Sequence, residues 1–145
     1  MNLDVLLEEL LPHPIDEVWS ALTDAEAIAD WLMVPTGFQP AVGARFTLKT
    51  RNLSRDGWVH AEVLELDPPR RMVWAWTVEG DAAPTAVTFE LTPEAGGTRL
   101  RLSHVGEIDD VIGGLLCEGW PGRIDELRRT LDRRHGGLHT EGVMH

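Results

Sequence analysis

Between Gly43 and Val105 five strand-like runs follow one another with turn signals between them and no helical period among them, a pattern that folds as an antiparallel meander. The runs are Ala44 to Asn52, Trp58 to Leu66, Arg71 to Glu79, Thr85 to Thr92 and Thr98 to Val105. Arg55-Asp56-Gly57, Asp67-Pro68-Pro69, Gly80-Asp81 and Glu94-Ala95-Gly96-Gly97 supply the reversals, through residues that preset or tolerate turn dihedrals. Alternation is clearest in Val87, Phe89, Leu91 and in Leu100, Leu102, His104, so these strands have one buried and one wet face.

What flanks the meander completes an α+β plan. Leu3 to Leu11 carries period-two apolar positions and reads as a first strand. Pro14 suits a first helical position, Asp16 and Glu17 suit the positive end of a helix dipole, and Ile15, Val18, Trp19 and Leu22 recur at helical spacing. Thr23 and Glu26 have the spacing of a capping box for a second short helix through Ala27, Ile28, Trp31 and Leu32, ending before Pro35. After the meander Ile112, Leu116, Trp120, Ile124, Leu127 and Leu131 form an apolar stripe long enough to lie across the sheet. Gly113, Gly114, Gly119, Gly122 and Pro121 weaken that helix, and a kink or break is expected near Cys117 to Pro121. Residues 1–135 are expected to form one domain, with 136–145 a flexible tail.

The chain has 145 residues, a length that buries roughly two thirds of its unfolded surface without a disulfide or metal. Its single cysteine, Cys117, reads as a small buried hydrophobe, and the N-terminus has no signal-peptide pattern, so a reducing, cytoplasmic setting is expected. No apolar run approaches the ~20 residues a membrane span needs. With 24 acidic against 13 basic residues, a formal net charge of −11 repels nucleic acid and anionic lipid surfaces. The local exception, Arg123 through Arg128, Arg129, Arg133 and Arg134, is interleaved with Asp125, Glu126 and Asp132 and reads as a solvated, ion-paired helix face.

The element order resembles the START-like (SRPBCC) superfamily, in which a curved sheet grips the last helix. Four segments narrow the likeness: VWSALTDAEAIADWL (Val18 to Leu32), DPPRRMVWAW (Asp67 to Trp76), GGTRLRLSHVG (Gly96 to Gly106) and GWPGRIDELRRTL (Gly119 to Leu131). They resemble the family related to the C-terminal domain of the activator of Hsp90 ATPase. The resemblance implies an α+β helix-grip fold: a curved six-stranded antiparallel sheet, two short helices and a long C-terminal helix. No additional N-terminal domain like that of the eukaryotic co-chaperones is expected, which lowers a co-chaperone reading.

In such a fold the cavity lies between the concave face and the long helix. Phe46, Leu48, Met72, Trp74, Trp76, Phe89, His104, Leu116 and Trp120 are the wall candidates, each able to serve as plain core or as ligand contact. His104 continues an apolar stripe, either as a hydrogen-bonded structural ring or as a ligand anchor, and matches a position where the family often carries histidine. Trp19 and Trp31 read as core, and Trp58 as partly covered. For the strand from Trp58 the inner face is either His60 and Glu62 or Val59, Ala61 and Val63. Ser103 adjoins His104 but points to the opposite face, so no nucleophile and base pair off. No metal-binding or phosphate-loop motif occurs, and His135, His139 and His145 offer no preformed metal site.

Three functions compete: a module binding an apolar small molecule, a cyclase- or dehydratase-like enzyme using His104, His60 or Glu62, and a chaperone-interacting protein working through the sheet's outer face. The first is the expectation. It involves no cofactor, no metal, no nucleic acid and no membrane; a homodimer is compatible with it, and an Hsp90-type chaperone is the minor alternative partner.

Overall fold

The computed structural model describes residues 1–49, 58–78 and 83–143, with side chains through residue 134. The elements run β1 (Asn2–Leu11), α1 (Ile15–Thr23), α2 (Ala25–Trp31), β2 (Val34–Thr36), β3 (Arg45–Lys49), β4 (Trp58–Asp67), β5 (Arg71–Val78), β6 (Thr85–Glu94), β7 (Gly97–Glu107) and α3 (Asp110–Val143). One antiparallel sheet takes the order β1-β7-β6-β5-β4-β3-β2, with the helices over its inner face. This is the α+β helix-grip plan, with seven strands rather than six. The extra strand, β2, is a three-residue edge pairing Val34–Thr36 with β3; Pro35 is tolerated there because an edge need not donate to the ladder.

Of the expected turns, Asp67-Pro68-Pro69 is closed by the Arg70 N–H donating to the Asp67 carbonyl at 2.7 Å. Arg55-Asp56-Gly57 and Gly80-Asp81, and the end of the first run at 50–52, lie outside the described residues. At Val63 to Glu65 the register of β4 shifts by a bulge, leaving Leu64 exposed. Gly106, at φ +141°, lies opposite Leu3; a Cβ there would meet the Thr85 side chain at 2.8 Å, so only glycine lets β7 lie this close to β6.

The capping of α2 differs from the expected Thr23–Glu26 box. Asp24 is the cap, its carboxylate accepting from the Ala27 N–H at 3.3 Å, while the Thr23 hydroxyl donates back to the Trp19 carbonyl at 2.8 Å. No break appears in α3, which runs through Pro121 and past residue 135 to Val143. A proline there costs one backbone bond and some strain. The packing of Trp120 and Ile124 on either side offsets it.

That packing divides α3 in two. From Ile124 to Leu131 the helix buries Ile124, Leu127, Thr130 and Leu131. This half is also tied outward: Arg128 to Glu9, Asp132 to the His13 ring at 2.8 Å, and Arg134 to Asp24 at 3.1 Å. The first half has fewer ties, Asp110 to the N-terminal amine at 2.9 Å and Trp120 to His104 at 3.0 Å, and the turns between them pack lightly. Ile112 and Leu116 are half-buried, Val111 and Leu115 are exposed, and Cys117 is exposed rather than buried, because it falls on the solvent side of the stripe.

Candidate functional site

Pleating sends every second residue of each strand under the helices. Phe46 and Leu48 of β3, Met72, Trp74 and Trp76 of β5, Phe89 of β6 and His104 of β7 all lie on this inner face and are buried. In β4 the inner residues are Val59, Ala61 and Val63, which answers the open question of phase: His60 and Glu62 point to the outer face. There they stand in cross-strand rows, Thr36, Thr47, His60 and Thr77 in one and Arg45, Glu62 and Ala75 in the next, around an open outer depression of about 590 Å³. The chamber under α3 therefore has neither of them as an acid or base.

Much of that chamber is filled by edge-to-face aromatic contacts. Phe46 meets Phe38 at 5.0 Å and Trp74 at 5.1 Å between ring centres, Trp74 meets Phe89 at 4.9 Å, and Phe89 meets Trp31 at 6.2 Å. Space remains at the other end, a hollow of about 110 Å³. Trp76 forms its floor, Leu32 and Met33 one side, and Leu115, Leu116, Gly119, Trp120 and Arg123 of α3 the other. Of the nine wall candidates, Trp76, Leu116 and Trp120 border this hollow; Phe46, Leu48, Met72, Trp74 and Phe89 pack within the core. A void of this size is on the order of one aromatic ring.

His104 does not line the hollow; its ring packs against two residues that do, Trp76 at 5.3 Å and Trp120 at 5.8 Å between ring centres, and both its nitrogens are engaged. The Trp120 Nε1–H donates to His104 Nδ1 at 3.0 Å, and the other ring nitrogen lies 2.6 Å from the Thr85 hydroxyl. Thr85 spends its own proton on the Trp76 carbonyl at 3.1 Å, so His104 must carry its proton on Nε2 and donate it to Thr85. The chain of bonds joins α3, β7, β6 and β5. Burial lowers the His104 pKa from 6.5 to about 4, holding the ring neutral at physiological pH.

Two buried indole groups are left over. Trp31 donates to the Ala21 carbonyl at 2.9 Å and Trp120 to His104, but the Nε1–H groups of Trp74 and Trp76 are buried with no acceptor among the described residues. Trp76 is 1% exposed and borders the hollow. At the hollow's edge Arg123, half-buried, has no carboxylate partner among the described residues, whereas its neighbours in the basic run are paired, Arg128 with Asp125 at 3.3 Å and Arg129 with Glu126 at 2.6 Å. Sequence reasoning placed Arg123 on a solvated face. Its spacing of three from Trp120 was the signal that could have put it beside the hollow.

Among the described residues no group of three or more His, Cys, Asp or Glu side chains could hold a metal ion, and no helix is long and apolar enough to cross a membrane. The side chains of His135, His139 and His145 lie outside the described residues.

The sequence pattern described as Activator of Hsp90 ATPase homolog 1-like protein matches residues 12–132. The chain belongs to this family. Among solved structures, MLL2253 from Mesorhizobium loti is 32% identical, with a TM-score of 0.81, covering 90% of this chain and 97% of that one. CalU16 from Micromonospora echinospora is 27% identical at a TM-score of 0.73, covering 95% and 82%. DynU16, a protein of the dynemicin biosynthetic locus, is 25% identical at a TM-score of 0.75, with 89% of this chain aligned to 47% of that one. No curated protein sequence matches. This member of the Activator of Hsp90 ATPase homolog 1-like family thus has a helix-grip frame, and the hollow beneath α3 is where its inner face stays open.

Proposed function

We propose that this protein binds a small, largely apolar molecule bearing a hydrogen-bond acceptor, held between Trp76 and the first half of α3. The observation that carries the reading is Trp76, which borders an apolar hollow and whose buried indole N–H has no acceptor among the described residues. A buried donor left unpaired costs about 1–3 kcal/mol, which an acceptor on a bound molecule would recover. The hollow falls short of the roughly 300 Å³ of an ordinary ligand site, so uptake involves a shift of the lightly packed first half of α3. The likeness to a protein of the dynemicin biosynthetic locus supports a small-molecule ligand. Among the described residues the three candidates for an acid or base are not free in the chamber: His60 and Glu62 face outward and both His104 nitrogens are occupied.

Native mass spectrometry of freshly purified protein tests for a retained molecule, and the indole N–H resonance of Trp76 in NMR reports its contact. Trp76→Phe keeps the ring and removes the donor. It is expected to weaken binding by about 1 kcal/mol, roughly fivefold, while leaving thermal stability unchanged or raised. Affinity equal to that of the parent protein would reject Trp76 as the polar contact.

A further inference from the structure

Building on the reading of the hollow as a ligand site, we infer that its ligand is an organic anion, a carboxylate or similar acid on an apolar body, with Arg123 holding the charged end. Among the described residues Arg123 is the only charged one bordering the hollow, and it has no carboxylate partner there, in a chain whose net charge is −11. Acidic groups are close at hand along the same helix, yet Asp125 pairs with Arg128 and Glu126 with Arg129. The guanidinium presents a planar fork of donors that fits two carboxylate oxygens at once.

The remaining surfaces suit the other end of such a molecule. Trp76, Leu116 and Trp120 are apolar walls, and Leu115, 56% exposed beside them, extends the apolar surface outward along α3. A neutral ligand of the same body would leave Arg123 unpaired. A dianion or polyanion would put surplus charge against leucine and tryptophan, where desolvation opposes it. One acid group on a mostly hydrocarbon frame satisfies both the cation at the rim and the walls.

The test compares octanoate with 1-octanol, equal in chain length and different in charge, titrated into the full chain at pH 7 and read at the Trp76 indole resonance. Octanoate is expected to bind at least tenfold more tightly. Arg123→Gln should abolish that preference, Arg123→Lys should retain part of it, and Arg129→Gln, on the ion-paired face, should leave it intact. Octanol binding as tightly as octanoate, or Arg123→Gln leaving the octanoate affinity unchanged, overturns the anion inference while the hollow remains a binding site. Neither compound moving the Trp76 resonance overturns the site reading and the inference with it.

Discussion

A histidine with both nitrogens engaged inside an apolar layer acts as a proton-sensitive rivet. Protonating His104 would turn Nδ1 into a donor facing the Trp120 donor, so the bond from α3 to the sheet would be lost. With the folded pKa at about 4 and the ordinary value at 6.5, the unfolded chain binds the extra proton first. Stability from this group is therefore complete above pH 6.5 and declines as the pH falls toward 4, by about 3 kcal/mol in all. Denaturant unfolding at pH 7 and pH 4.5 should show a steeper acid loss for the parent protein than for His104→Gln; parallel losses would show that the ring does not titrate as buried. Trp120→Ala removes both the donor and a large buried ring, and should cost about 3–5 kcal/mol. A melting temperature within a degree of the parent would contradict the burial of Trp120 at 2%. Roles of this kind were only partly legible in the sequence. The alternation of Leu100, Leu102 and His104 told which way the ring points, but Thr85 and Trp120 are distant in sequence, and only the folded register brings them to its two nitrogens.

At the scale of elements, the first half of α3 carries glycines that its packing does not require. A Cβ at Gly114 or Gly122 would meet nothing within 4 Å, so packing gives no reason for glycine there. Each forfeits about 1 kcal/mol of helix stability relative to alanine. Gly114→Ala and Gly122→Ala should each raise the melting temperature by roughly 3 °C. If the first half of α3 must move for uptake, the same changes should slow ligand association. Calorimetry with stopped-flow binding measures both, and a lowered melting temperature would mean that these positions are constrained after all. The strands were read well because an antiparallel meander has local turns and a period of two. β2 was missed because three residues containing Pro35 carry no alternation to detect. The unbroken course of α3 was hidden for the opposite reason: Pro121 is a strong local signal, and the burial of Trp120 and Ile124 that overrides it is tertiary. Wall and core aromatics are the same residue types on the same strand phase, so Trp76 could not be told from Trp74 before their neighbours were known.

In the whole molecule the sheet is assembled from two kinds of pairing. β3 through β7 pair with their neighbours in the chain, whereas β1 lies beside β7 with Asn2 opposite Glu107. Closing a loop of that length is entropically costly and is rewarded only after the meander exists to receive it. The order of events should follow from this: the hairpins of β5, β6 and β7 belong to the transition state for folding, and β1 docks on the downhill side with α3, to which Glu9 and Arg128 link it. Val87→Ala in β6 should then slow refolding, while Val5→Ala in β1 should leave the refolding rate nearly unchanged and speed unfolding. Stopped-flow chevrons of the two variants distinguish the cases, and slowed refolding from Val5→Ala would place β1 in the nucleus. Because the first strand is the last to be secured, the barrier that keeps the folded protein from opening is set largely at an edge. Kinetic lifetime and equilibrium stability can therefore be changed separately in this fold.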